Sequence, residues 1–214
     1  MAKKPFFYDD CRSGDRLARE WTRIVGVDNL TVEYQTDIGR FAYTITRAGA
    51  GSLHQWNWMV APSMVNFESV SLFKKNSAAP NASSNGFGLL FDSVDTNNVS
   101  DVAKTDAIYF GRRASGVYYY KYWNMAVTND IWYYWKVRKV NRDVRLKFWQ
   151  YGTAEPDWQY TQTSPPPTSS NENPVRYQPH PNGKFGIQTF LFSVGDWAKI
   201  ADIRITPIPR TGGP

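Results

Sequence analysis

Apolar and polar side chains alternate with a period of two along most of this chain, and a 3.6-residue period is almost absent. Successive side chains of an extended strand point to opposite faces, so this alternation specifies half-buried strands rather than helices. It predicts strands at Thr31–Gln35, Arg40–Arg47, Phe67–Lys74, Gly86–Asp92, Ala107–Arg112 and Val117–Trp123. Four more are predicted at Ile131–Val140, Val144–Tyr151, Phe185–Phe192 and Lys199–Thr206. All are rich in Tyr, Phe, Trp, Val and Ile, and clusters of Gly, Asn, Pro and Ser separate them. Many short strands with turn residues between them describe an all-β sandwich or barrel. Only Asp15–Trp21 offers a helical turn, through Leu17 and Trp21.

The segment Ile131–Tyr151 goes further and fixes its own pairing. If Asn141-Arg142 is a two-residue turn, Val140 faces Asp143, Lys139 faces Val144, Val137 faces Leu146 and Trp135 faces Phe148. The other face then carries Arg138 against Arg145, Lys136 against Lys147, Tyr134 against Trp149 and Trp132 against Tyr151. A shift of one residue sets Arg138 against Leu146 and destroys the segregation, so one register is selected. One face is core, and the other is basic and aromatic.

Composition removes several classes of protein. The 214 residues carry 25 Lys and Arg against 19 Asp and Glu, a net charge of +6, and 42% are hydrophobic. That balance excludes a disordered chain, and no apolar run approaches the roughly 20 residues that span a bilayer. The opening Met1-Ala2-Lys3-Lys4-Pro5-Phe6-Phe7-Tyr8-Asp9-Asp10 has no apolar core ahead of its acids, so no secretory signal is expected. One cysteine, Cys11, permits no internal disulfide and no Cys-built metal cage, and it is expected to be a small buried residue. Two histidines, His54 and His180, are too few for a multi-histidine zinc site. Three stretches interrupt the strand pattern: the polar loop Asn76–Asn85, the proline-rich segment 161–182 and the tail 207–214, which is not expected to extend a strand. None marks a boundary between two units, so residues 1–214 are expected to form a single domain.

Several of these segments have a familiar look. Ile131-Trp132-Tyr133-Tyr134-Trp135-Lys136-Val137-Arg138, Val144-Arg145-Leu146-Lys147-Phe148-Trp149 and Gly152-Thr153-Ala154-Glu155-Pro156-Asp157-Trp158 resemble segments of the concanavalin A-like lectin/glucanase superfamily, in its laminin-G-like members. Gly183-Lys184-Phe185-Gly186-Ile187 is similar to a glycine-flanked strand entry of that family, Asp202-Ile203-Arg204-Ile205 to its closing strand, and Phe7-Tyr8-Asp9-Asp10 to its opening segment. The resemblance covers nearly the whole chain and implies a two-sheet antiparallel jelly-roll sandwich with little helix. It implies no reaction. The proline-rich Ser164–Asn182 departs from the family pattern, which has a short turn there.

Catalytic motifs are missing. Glycosidases need two carboxylates in one cleft, one protonated and one charged. The five glutamates, Glu20, Glu33, Glu68, Glu155 and Glu172, place no two on one strand face, although Glu33 and Glu68 could converge in space. There is no nucleophile elbow for a serine triad and no glycine-rich phosphate loop. Glu155 is expected to end a strand and to accept local hydrogen bonds. Asp92, Asp95, Asn97, Asn98 and Asp101 crowd one loop, and their oxygens make Asp92, Asp95, Asn97 and Asp101 a candidate calcium set without the spacing of a known loop. No other cofactor is expected.

The basic and aromatic hairpin face is the candidate binding surface: Trp132, Tyr134, Lys136, Arg138, Arg145, Lys147 and Trp149. Like charges directly opposite one another destabilise a sheet unless an anion or a neighbouring acid compensates. Sugar rings stack on Trp and Tyr, and the guanidinium fork pairs with carboxylate or sulfate. The competing reading is a solvated face whose long stems cover aromatic rings. A lectin-like fold without signal or disulfide suggests a bacteriophage protein, made in the host cytoplasm and carried in the virion. The expected function is a non-enzymatic capsid decoration, head-fibre or tail-associated protein that binds another virion protein; the candidate partners of the basic face are an acidic surface glycan or an acidic patch on another virion protein. A glycan-degrading enzyme and a nucleic-acid binder are the alternatives; the second has only charge behind it, because no accompanying motif is present. A homo-oligomer is left open, and no membrane insertion is expected.

Overall fold

The computed structural model describes residues 7–12, 29–48, 66–76, 127–140, 143–161 and 193–209 in full, and the backbone alone at 22–25, 54–62, 86–93, 101–104, 107–110, 119–122, 162 and 184–191. The candidate helical turn Asp15–Trp21, most of the loop Asn76–Asn85, most of the proline-rich segment and the end of the tail lie outside these residues. So do the side chains of His54 and His180.

Among the described residues the chain forms strands and no helix. They are β1 (Phe7–Asp9), β2 (Thr22–Val25), β3 (Asn29–Gln35), β4 (Arg40–Thr46), β5 (His54–Pro62), β6 (Phe67–Asn76), β7 (Gly86–Ser93) and β8 (Asp101–Lys104). They continue as β9 (Ala107–Phe110), β10 (Tyr119–Tyr122), β11 (Tyr133–Val140), β12 (Asp143–Gln150), β13 (Tyr160–Gln162), β14 (Lys184–Leu191) and β15 (Trp197–Pro207). One sheet runs β13-β12-β11-β6-β15-β4-β3 and the other β10-β9-β8-β7-β14-β5-β2, with every pairing antiparallel. This is the two-sheet jelly-roll sandwich. β15 is long enough to share one edge between two partners, β4 along Trp197–Ile200 and β1 along Ile203–Ile205.

Alternation places the core. Tyr43, Ile45, Phe67, Phe73, Trp135, Val137, Val144, Leu146, Ile200, Ile203 and Ile205 are buried on the inner face of the first sheet. β11 and β12 pair in the register the sequence selects, with Val137 opposite Leu146, Trp135 opposite Phe148, Lys136 opposite Lys147 and Arg138 opposite Arg145. Phe148 is half-buried at the margin of this core rather than enclosed.

β15 changes parity in its middle. Ala201 pairs with Leu72 and Arg204 with Val70, so one extra residue is accommodated and Ile200 and Ile203 both face inward. Asp202 adopts φ 53° at this bulge, a conformation that Asp tolerates better than most residues. Its buried carboxylate takes ion pairs from Arg40 and Arg204, the latter at 2.7 Å. At the N-terminus Tyr43 donates its hydroxyl to buried Asp9 at 3.0 Å, and Asp9 Oδ1 accepts the Cys11 amide at 2.8 Å. Cys11 is fully buried, and burial pushes its thiol well above its usual pKa.

The structure adds β1, β2, β5, β8 and β13 to the expected strands. β15 also runs through Pro207, contrary to the expected break, because at the last residue of a strand proline's missing N–H forfeits at most one ladder bond.

Candidate functional site

The outer face of the first sheet is built from the alternate positions that the core does not use. β11 contributes Tyr134, Lys136 and Arg138; β12 contributes Arg145, Lys147 and Trp149; and β6 lies beside them with Glu68 opposite Arg138 and Val70 opposite Lys136. Tyr134 and Trp149 stack at 5.0 Å between ring centroids with 25° between planes, and Tyr151 leans on Tyr134 at 5.7 Å. Tyr134 and Trp149 remain half-exposed, Arg138 is half-buried and Arg145 is exposed.

The connection from β12 to β13 folds back beside this face. Gly152 provides the φ of 84° that the turn after β12 requires, and the Gln150 carbonyl accepts both the amide and the hydroxyl of Thr153. The chain returns so that the Gln159 amide donates to the Leu146 carbonyl at 3.2 Å, while Gln159 Oε1 accepts the Phe148 amide at 2.9 Å. Glu155 and Trp158 are thereby brought to the lysines. Glu155 Oε1 lies 3.0 Å from Lys136 Nζ and 2.7 Å from Lys147 Nζ. Lys147 also donates to the Pro156 carbonyl at 2.7 Å and sits 4.6 Å from the centre of the Trp158 ring. Lys136 has a second carboxylate, Glu68, at 3.1 Å.

Protonation follows from these contacts. Partial burial favours the neutral form of Glu155, but hydrogen bonds from Lys147 and Lys136 outweigh it and hold the carboxyl below its ordinary range. Lys136 is shifted upward: burial opposes its charge, and Glu155 and Glu68 more than restore it. Burial also raises the Tyr134 phenol. Both acids of this cluster are thus placed to balance lysine.

These contacts correct two expectations. The sequence suggests four mutually repelling cations, yet Glu155 and Glu68 neutralise Lys136 and Lys147 from within the chain. Among the described residues, no carboxylate pairs with Arg138 or Arg145. Trp132, expected among the exposed rings, is buried. Its indole donates to Asp37 Oδ2 at 2.8 Å, Lys74 binds the same oxygen at 2.9 Å, and the ring packs with Ile38, Ala42, Leu72 and Ala201. The small Ala42 and Ala201 leave room for the β3–β4 turn to settle on the sheet with Ile38 inward. Trp132 therefore closes the aromatic end of the face under the β3–β4 turn, with Tyr134 and Tyr151 packed against its cluster. Trp158 is the residue that sequence reasoning leaves out, and its only signal is its place three residues after Glu155.

Glu33 and Glu68 do not converge. β3 and β6 are three strands apart, roughly 14 Å at the usual spacing. Lys199 holds Glu33 at 2.8 Å, and its hydrogen bond lowers the Glu33 pKa. For the calcium set, Asp92 lies within β7 and Asp101 opens β8 opposite Phe91, so these two are strand residues rather than loop residues. Their side chains, and Asp95 and Asn97 altogether, lie outside the described residues. Among the described residues no three His, Cys, Asp or Glu side chains gather as metal ligands.

No family description matches the chain, and no curated protein matches its sequence. Solved structures match its fold. Arcelin-5, a lectin-like defense protein from Phaseolus vulgaris, aligns over 95% of this chain and 98% of its own, with a TM-score of 0.59 and 11% identity. A β-1,3-glucanase from Mycobacterium marinum aligns over 96% and 100%, with a TM-score of 0.58 and 9% identity. The carbohydrate-binding module CBM66 from Bacillus subtilis aligns over 87% and 95%, with a TM-score of 0.53 and 12% identity. The chain thus shares the jelly-roll fold of concanavalin A-like lectins, glucanases and carbohydrate-binding modules. At such identities the likeness is one of fold, and function rests on the site.

Proposed function

We propose that this protein is a non-enzymatic glycan-recognition module, working through the outer face of β11 and β12. The observation that carries the reading is the half-exposed strip of Tyr134, Trp149 and Tyr151, in line with two arginines that have no carboxylate partner among the described residues. Aromatic rings offer apolar area to sugar C–H faces, and guanidinium groups offer hydrogen-bond donors to sugar oxygens. Similarity of fold to a carbohydrate-binding module and a lectin-like protein supports the same reading. A hydrolase on this face has less support. Glu33 and Glu155 are held below their ordinary pKa with lysine hydrogen bonds contributing, and Glu68 is ion-paired, whereas a glycosidase needs one carboxyl kept protonated. Nucleic acid is disfavoured by the carboxylates interleaved among the cations. The test is a glycan array probed with wild type and Trp149→Ala; retention by wild type that the variant loses is expected. Wild type that retains no sugar would overturn the reading.

The setting we propose is a bacteriophage virion, as a capsid, head-fibre or tail accessory that also contacts another virion protein. A lectin-like sandwich whose one cysteine is buried needs no oxidising compartment to fold. Deleting Ser164–Asn182 should leave folding intact and reduce incorporation into particles, and unchanged incorporation would remove that segment from the contact. Calcium at Asp92, Asp95, Asn97 and Asp101 is a further part of the proposal, supported by Asp92 and Asp101 flanking one connection between paired strands. A melting temperature that calcium does not raise above its value in chelator would dismiss it.

A further inference from the structure

We infer that the glycan this face takes is acidic, and that its anionic group sits on Arg138 and Arg145. The inference rests on the glycan-recognition reading and deepens it by naming the ligand class. Of the four cations on the outer face of β11 and β12, Lys136 and Lys147 are saturated: Glu155 bridges both, Glu68 adds to Lys136, and the Pro156 carbonyl adds to Lys147. Arg138 and Arg145 face each other directly across the same two strands. Glu68 lies opposite Arg138 on the other side, yet its carboxylate is given to Lys136. Two guanidiniums at a cross-strand position repel, and the protein has left this pair uncompensated among the described residues while compensating the pair beside it. An anion bridging the two removes that repulsion. A planar carboxylate or a sulfate can take paired N–H bonds from each fork, which an ammonium could not offer with the same geometry.

The layout also sets the ligand's length. Arg138 and Arg145 lie four residues along their strands from Tyr134 and Trp149, about 13 Å at the strand rise. One sugar ring cannot reach both, so the ligand is a chain of several rings. It passes over the lysine pair with an acidic substituent at the arginine end and apolar C–H faces at the aromatic end. The stacked rings spend part of their faces on each other, so the arginines supply the selectivity and the aromatic strip adds contact area.

The experiment compares retention on immobilised polygalacturonate, dextran sulfate and neutral dextran, together with an array holding acidic and neutral glycans. The proteins are wild type, the double variant Arg138→Gln/Arg145→Gln, and the control Lys3→Gln/Lys4→Gln, which removes the same charge from the start of the sequence. Wild type should prefer acidic ligands. The arginine variant should lose about tenfold or more in affinity for them, the loss expected for two charge-assisted contacts, while the control changes less than about twofold. Equal losses in both variants would mean adsorption by net charge and would overturn the inference. Array binding confined to neutral glycans would overturn it too, leaving the glycan-recognition reading in place. No retention on any support would refute both.

Discussion

Replacing Glu155 by Gln keeps the shape of the side chain and removes the charge that two lysines share. Lys136 and Lys147 then face each other across β11 and β12, at 17% and 9% side-chain exposure, with Glu68 left to serve Lys136 alone. A hydrogen bond to a charged partner contributes about 1.5–3 kcal/mol in a protein interior. Glu155 makes two, but at 44% exposure water screens both of them. Exposed pairs contribute about 0–1 kcal/mol, and Lys147 keeps its bond to the Pro156 carbonyl. The expected loss is about 1–2 kcal/mol at neutral pH, between those limits. Urea unfolding followed by tryptophan fluorescence measures it, repeated from neutral to acidic pH. Because the folded-state pKa of Glu155 lies below its ordinary 4.5, its contribution is complete above that value and fades as pH falls through the folded pKa. The stability difference between the two proteins should therefore close in acid. A variant as stable as wild type at neutral pH, or a gap that persists undiminished in acid, would refute the bridging role.

Leu146 is fully buried against Val137, so Leu146→Ala should cost about 2–5 kcal/mol in urea unfolding, and a loss under about 0.5 kcal/mol would contradict the packing. Asp202→Ala removes a buried carboxylate that serves two half-exposed arginines and also a residue tolerant of φ 53°; about 2–4 kcal/mol is expected, with Asp202→Asn costing less because it keeps that tolerance. Cys11 should resist alkylation in the folded protein at mildly alkaline pH and react on unfolding, since burial raises its pKa and closes access. Rapid labelling of the native thiol would show that β1 does not stay docked.

The period of two carried most of the fold into view, because a strand buried on one face leaves a trace at every second residue. β5, absent from the expected strands, carries the same trace, with Trp56 and Trp58 alternating with Gln55 and Asn57. β1, β2, β8 and β13 are three or four residues long, too short for any period to be established. β8 was further disguised by Asp101, which reads as a turn residue until its pairing with Phe91 is known. The bulge in β15 was written in the sequence as a change of parity, Ile200 to Ile203 to Ile205, which no uninterrupted strand can bury on one side.

The site divides along a similar line. Cross-strand neighbours were legible because a short connection and strict alternation fix who faces whom, and the arginine and lysine pairs stand where that logic put them. Their counter-charges were not legible. Glu68 reaches Lys136 from a strand far upstream, and Glu155 arrives through a connection whose path depends on Gly152 and on the Gln159 bonds to β12. Like charges set opposite each other in a sheet report that an anion belongs nearby, without reporting whether the chain or a partner supplies it. Here the chain supplies it at one rung and, among the described residues, leaves the next rung without it. Two adjacent rungs with opposite solutions are the ground on which we propose Arg138 and Arg145 as the position where a ligand completes the electrostatics.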